Sequence, residues 1–230
     1  MIRRTLTPRV VFLSLLFVVL GPFLPLLISG NWRWYEAWVY AVLLIVSFAV
    51  SRVLAARRHP DLLAERARFM SHPDAKPWDR VLAPLIGLGS ILILLVAGLD
   101  ERFDGSIGFG PTAEALSLVV VLAGLVLGSY ALLENRFFSG MVRIQLDRGH
   151  QVVSGGPYRW MRHPGYVGAI LVYVATPVFL DSQWALLPAL AFSVIVVVRT
   201  ALEDRTLQSE LPGYRDYAHK VRYRLLPGIW

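Results

Sequence analysis

The sequence predicts an all-α integral membrane protein of about six transmembrane helices, ending in a C-terminal helical hairpin. Three observations carry this: long apolar runs, a lopsided distribution of basic residues, and two polar clusters that bracket the last two runs. Of 230 residues, 56% are hydrophobic, above the roughly 45–50% of soluble domains. The excess falls in six runs, at 10–28, 37–50, 81–99, 115–133, 166–180 and 184–198. The first, third and fourth approach the ~20 residues that cross a bilayer. The other three are nearer ~15, about 22 Å of helix. They must extend into flanking residues, or the last pair forms a shallow hairpin. Helices are expected because lipid leaves no backbone amide a partner outside the chain. The first run has no small-residue cleavage site and carries Pro22 and Pro25, so it reads as a span rather than a signal peptide.

Charge orients these spans. All 23 basic residues except Arg33 and Arg102 fall in the N-terminus, in alternate connections and in the tail. Asp100, Glu101, Asp104 and Asp181 lie with those two exceptions. The positive-inside pattern places both termini and both polar clusters in the cytosol and requires an even number of crossings. Basic cytosolic loops facing anionic lipid explain the net charge of +7 better than nucleic acid does. With 0 cysteines, disulfides and thiolate metal sites are excluded.

The connections differ in character. The outer loop 100–112 reads as a connector. In the loop 56–80, Leu62, Leu63, Arg66, Phe69 and Met70 follow His59-Pro60-Asp61 and predict an amphipathic helix on the membrane surface, ended by Pro73 and Pro77. It reads as an interfacial anchor or as a lid. Segment 134–164 is long enough to suggest function. Its alternation around Val142, Ile144 and Leu146 admits a short extended piece.

The first polar cluster, 155–168, puts Arg162, His163 and Tyr166 at the mouth of the fifth apolar run. Pro164 suits the first helical turn, Gly165 and Gly168 allow tight packing, and the free N–H groups of a helix start suit a carboxylate ligand. The second cluster is Arg199, Glu203 and Asp204 at the end of the sixth run. Arg199 and Glu203 are four apart and share a helical face. They form either a structural ion pair or a binding site, since ionisable groups beside spans are costly. Paired metal-ligand histidines, a Gly-x-Ser-x-Gly elbow, a Walker loop and a dinucleotide fingerprint are all absent.

Gly156-Pro157-Tyr158, then Arg162-His163-Pro164-Gly165-Tyr166-Val167-Gly168, then Glu203-Asp204, Leu207 and Tyr214-x-x-Tyr217 form one pattern. From Gly149 onward the chain resembles the isoprenylcysteine carboxyl methyltransferase family, membrane methyltransferases that also resemble phospholipid N-methyltransferases. The resemblance implies S-adenosyl-L-methionine as cofactor, in a cytosolic cofactor pocket under the C-terminal segment. It also implies cofactor contacts at Gln145, His150, Gln151, Val152, Val153, Tyr158, His163, Pro164, Gly165, Tyr166 and Glu203. Arg199 matches the arginine that faces the methyl acceptor. With Glu203 it forms the implied catalytic pair. The implied organisation is a single domain, with four N-terminal spans in 1–134 and the cofactor-binding catalytic part in 135–230. Two departures stand out: Asp204 replaces the second glutamate, and Leu211-Pro212-Gly213 replaces a Phe-Gly step.

Methyl transfer from a sulfonium needs proximity and alignment more than acid–base chemistry. A carboxylate acceptor needs no base, and the clusters contain no dedicated one. The expected partners are therefore a lipophilic carboxylate, such as a prenylcysteine-like or isoprenoid acid, and membrane lipids, with neither nucleic acid nor metal. A phospholipid amine or a small thiol fits the same entry from lipid. The ending Pro227-Gly228-Ile229-Trp230 also resembles sterol-reductase-like NADPH enzymes. A scaffold or transporter is the non-enzymatic alternative.

Overall fold

The computed structural model describes residues 19–69, 72–105 and 108–230. Residues 10–18 of the first apolar run, Met70, and Arg3, Arg4 and Arg9 lie outside these. Among the described residues all regular structure is helical. In chain order the α-helices are α1 (Leu24–Ser29), α2 (Tyr35–Arg58), α3 (Pro60–Ala67), α4 (Asp79–Arg102), α5 (Pro111–Glu134), α6 (Pro164–Phe179), α7 (Leu186–Glu210) and α8 (Tyr214–Lys220). Four of them, α2, α4, α5 and α7, are long and apolar enough to cross a membrane. At 24 to 25 residues each, they reach about 36 Å, beyond the ~30 Å hydrocarbon core. α6 is apolar but has only 16 residues.

Two helices outrun their apolar runs. The run at 37–50 becomes a helix to Arg58, and the run at 184–198 continues as helix to Glu210. Hydropathy fails where the charges begin, but helix propensity does not. The added residues are mostly Ala, Leu, Arg, Glu and Gln, all good helix formers. Arg199, Glu203 and Asp204 therefore lie within α7 rather than beyond its end.

Side chains of Leu26, Tyr40, Ile93, Val121, Tyr173, Phe179 and Val196 form the main apolar core. Polar bonds cross it: the Thr176 hydroxyl donates to Tyr40 Oη at 2.9 Å, and the Tyr173 hydroxyl to the Ile86 carbonyl at 2.7 Å. α5 and α6 approach through glycine, as membrane helices do at small-residue seams. A Cβ on Gly168 would fall 2.6 Å from the Gly124 carbonyl oxygen and 2.9 Å from the Gly128 nitrogen.

The bundle has two polar ends. At one, Asn31 donates to Glu101 at 2.7 Å, and the Trp184 indole N–H donates to the Gly105 carbonyl at 3.2 Å. At the other, Arg58 meets Glu134 at 3.1 Å and Lys76 meets Glu210 at 2.6 Å. The latter end also gathers α3, segment 135–163, α8 and the tail.

One expectation for this end is corrected. The amphipathic helix stops at Ala67, well ahead of Pro73, and the short extended piece around Val142 and Ile144 runs as irregular backbone rather than pairing as a strand. The Val142 N–H instead donates to Asp79 at 2.6 Å, and its carbonyl accepts from the Lys76 N–H at 2.9 Å. Leu146 enters a 3₁₀ turn, Leu146–Arg148. Glu65, facing inward from α3, is 4% exposed. It takes two bonds from Arg143, at 2.8 and 3.0 Å, which ties α3 to the segment after α5.

Candidate active site

The two polar clusters meet around Asp204, which is fully buried. Arg162 grips it with Nε at 2.7 Å and Nη2 at 3.0 Å. Arg224 adds a contact at 2.8 Å, Gln208 one at 2.7 Å and the Tyr214 hydroxyl one at 3.2 Å. His163 Nε2 lies 3.3 Å from the same carboxylate. A buried carboxylate is tolerated only when it is paired and fully hydrogen-bonded, and Asp204 is both.

Arg162 also fastens the C-terminal segment. Its Nη1 donates to the carbonyls of Val221 and Arg222 at 2.8 and 2.9 Å. The backbone N–H groups of Arg162 and His163 donate to the carbonyls of Tyr223 and Arg224, both at 2.9 Å. The Leu211-Pro212-Gly213 step works locally because Gly213 takes φ +80°, a conformation that suits glycine. It starts α8, whose Tyr214 and Tyr217 pack with Tyr158, Val152 and Val153. Burial raises the hydroxyl pKa of Tyr158, Tyr214 and Tyr217, so all three stay neutral phenols. The Tyr217 hydroxyl donates to the Tyr158 carbonyl at 2.7 Å.

Beside this hub is a second constellation. The Tyr166 hydroxyl donates to Glu203, and its ring stacks on His163 with centroids 5.8 Å apart. The Arg199 guanidinium lies 5.5 Å from the Tyr166 ring centroid. Arg199 is held by Asp79 from α4, through Nε at 2.6 Å and Nη2 at 2.8 Å, and Nη2 also reaches the Gly140 carbonyl at 2.9 Å. That leaves Nη1 without a hydrogen-bond partner among the described residues.

The sequence-predicted residues divide into groups. Tyr158, His163, Tyr166, Arg199 and Glu203 form a continuous set with Asp204 and the tyrosines of α8. Pro164 opens α6, and Gly165 lets Phe138 close over it, since a Cβ there would fall 2.6 Å from that ring. Val152 and Val153 border the aromatic set, whereas Gln151 is exposed. Gln145, 1% exposed, belongs to a neighbouring group. Its side-chain N–H donates to the Phe137 carbonyl at 2.7 Å, its Oε1 accepts from Arg148, and its backbone N–H donates to His150 Nδ1 at 3.3 Å. Burial, then the Arg143 and Arg148 charges, press His150 down to about 4, so its ring is neutral at pH 7.

Sequence reasoning missed Asp79, Glu65 and Arg143. Asp79 and Arg199 are 120 residues apart, and nothing local marks the pair. The signal available was an acidic residue, Asp79, opening an apolar run on the basic face.

The fold and these clusters define a polytopic helical membrane protein with a polar, arginine- and carboxylate-rich site at one end of its bundle. A model of the isoprenylcysteine carboxyl methyltransferase (ICMT) family matches residues 116–209. The probable protein-S-isoprenylcysteine O-methyltransferase of Oryza sativa subsp. indica is 34% identical over 197 residues, covering 81% of this chain and 93% of that protein. Protein-S-isoprenylcysteine O-methyltransferase A of Arabidopsis thaliana is 32% identical over 118 residues, 50% of this chain and 54% of its own. Among solved structures, the eukaryotic intramembrane Ras methyltransferase ICMT superimposes with a TM-score of 0.62 at 22% identity, over 95% of this chain and 74% of the other. The chain belongs to the isoprenylcysteine carboxyl methyltransferase family and is an integral membrane methyltransferase.

Proposed function

We propose that the protein transfers a methyl group from S-adenosyl-L-methionine to the carboxylate of a lipophilic acceptor of prenylcysteine type. The observation that carries this is the division of labour between two adjacent acids. Asp204 is saturated by Arg162, Arg224, Gln208 and Tyr214. Glu203, one residue earlier, has only the Tyr166 hydroxyl as a hydrogen-bond partner among the described residues. It is the carboxylate with capacity left for an ammonium or a ribose hydroxyl. Tyr158, Tyr166 and the Val152–Val153 pair supply apolar and aromatic walls beside it. This donor set fits S-adenosyl-L-methionine, which when bound supplies an electrophilic methyl on a sulfonium.

The rest follows from the chain's own groups. Arg199 is fixed by Asp79 and offers Nη1 to an anion, a charge-assisted contact that orients a carboxylate. A carboxylic acid is already ionised near neutral pH, so no residue has to remove a proton. The C-terminal segment, fastened by Arg162, covers the pocket and excludes water. The names of the relatives point to prenylcysteine acids. The basic end of the bundle is read as the cytosolic side, with six crossings once the first run and α6 are included.

The test is calorimetry of S-adenosyl-L-methionine on the detergent-solubilised protein, followed by labelled-methyl transfer to prenylcysteine acids. Saturable binding is expected, weakened roughly tenfold or more in Glu203→Gln, in line with loss of a charged hydrogen bond. A folded wild-type sample that binds no S-adenosyl-L-methionine rejects the reading.

A further inference from the structure

Two guanidinium groups beside the site are left over once Arg162, Arg199 and Arg224 have been assigned. Arg52 is on α2 and Arg66 on α3. Arg52 Nη1 is shielded from solvent and has no hydrogen-bond partner among the described residues. The group lies 4.7 Å from the Phe48 ring centroid. Arg66 donates through Nη1 to the Phe138 carbonyl at 3.1 Å and sits 5.5 Å from the Phe138 ring centroid. Among the described residues, neither has a carboxylate partner. Both are therefore half-buried positive charges held by neutral groups.

Arg66 also feels the site directly. Burial, then the Arg52 and Arg199 cations, push its pKa down to about 9, and Tyr166 is the group that opposes them. It remains charged at neutral pH. Arg66 is thus within electrostatic reach of Arg52 and Arg199, and of these three guanidiniums only Arg199 has an acid, Asp79, among the described residues. Phe138, under Arg66, also packs on Gly165 at the start of α6. Arg66 consequently stands beside the start of α6, on the side of the surface helix.

Half-buried cations without a counter-charge are costly to hold, and an anion bound beside them relieves that cost. We propose that Arg52 and Arg66 form an anion site that receives the carboxylate of the lipophilic acceptor, next to Arg199. This rests on the methyl-transfer reading. In the reaction a carboxylate oxygen bonds to the methyl carbon, the carbon–sulfur bond breaks, and its electron pair stays on sulfur. The acceptor becomes a neutral methyl ester. A site built from two cations holds the acid and loses its grip on the ester, so it separates substrate from product by charge alone.

The experiment measures affinities of N-acetyl-S-farnesylcysteine and its methyl ester for the full chain in detergent. Wild type, R52Q, R66Q and R66K are compared, with S-adenosyl-L-methionine affinity and unfolding temperature as controls. Wild type is expected to hold the acid at least roughly tenfold tighter than the ester. R52Q and R66Q should bring that ratio towards one, and R66K should keep part of it. Cofactor affinity should stay unchanged in all three variants. Equal binding of acid and ester by wild type overturns the proposal, as does an unchanged ratio in folded R52Q and R66Q. Displacement by phosphatidylglycerol that depends on Arg66, with acid binding that does not, also overturns it and assigns the cations to a lipid headgroup. If wild type fails to bind S-adenosyl-L-methionine, the methyl-transfer reading falls, and the acid-to-ester ratio still decides the anion site.

Discussion

Arg162 clamps Asp204 with two parallel bonds, at 2.7 and 3.0 Å, across 42 residues of sequence. The same guanidinium holds the Val221 and Arg222 carbonyls, so one side chain joins α7 to the tail. Asp204→Asn would leave Arg162 and Arg224 without their counter-charge in a buried setting. Breaking such a pair costs about 3–5 kcal/mol. The expected outcome is a lower unfolding temperature in detergent and faster tryptic cleavage at Arg222 and Arg224. A tail as protected as that of the wild type would show that the ion pair does not fasten it.

The α5–α6 seam makes a separate prediction. The Gly168 position faces backbone atoms of Gly124 and Gly128, which cannot rotate away as a side chain can. Gly168→Val must push the helices apart and shift the start of α6, which carries Tyr166 and is preceded by His163. Overpacking of this kind typically costs about 1–3 kcal/mol. Unfolding temperature should fall, with cofactor affinity falling alongside it. Gly128→Ala is the control, because a Cβ at Gly128 meets nothing within 4 Å, and it should be near neutral.

What the sequence made legible follows from how each feature is encoded. Spans are encoded locally, as runs of apolar residues, so four of the six predicted runs coincide with helices long enough to cross. The 155–168 and 199–204 clusters were also visible, because charge beside an apolar run is a local anomaly. Which acid does what was not visible. Glu203 and Asp204 are neighbours on a chain, but the helical turn points them at different partners, Tyr166 and Arg162. Asp204 looked like a mild departure from a pattern and is instead the hub of the site. Asp79 carries no local mark, Arg52 reads as one more basic charge on the positive face, and Arg66 reads as part of the amphipathic surface helix. Their significance depends on long-range packing of α2, α3, α4 and α7, which no window of sequence contains.

His150 gives the protein a pH dependence of definite sign. Its ring has a folded pKa of about 4 against the usual 6.5. Between these values the unfolded chain binds a proton that the folded chain does not, so stability falls as pH drops from about 6.5 towards 4. Protonation also removes the lone pair on Nδ1 that accepts the Gln145 N–H. The unfolding temperature should therefore decline over that window, and His150→Gln should flatten the decline. Carboxylates contribute mainly at lower pH, below the range where His150 acts. An identical decline in the variant would place the effect elsewhere.

Asp79 holds Nε and Nη2 of Arg199, and under the proposed methyl transfer it acts through Arg199, leaving Nη1 for the acceptor. It should therefore behave as a positioning residue rather than a binding one. Arg199→Lys keeps the charge but cannot reproduce a two-bonded grip on Asp79. The ammonium would sit wherever its flexible stem allows. A misaligned acceptor lowers the rate of an in-line displacement steeply, because alignment supplies much of the acceleration. The expected result is a kcat lowered about 10²-fold, with S-adenosyl-L-methionine affinity close to wild type. Asp79→Asn should give the same pattern more weakly, since an amide oxygen still accepts one bond from Arg199. It should also loosen the Val142 contact at 2.6 Å, which adds a stability cost that unfolding temperature would reveal. Cofactor affinity falling in step with kcat in Arg199→Lys would mean that Arg199 supports the cofactor pocket, and the acceptor would have to be aligned by other groups.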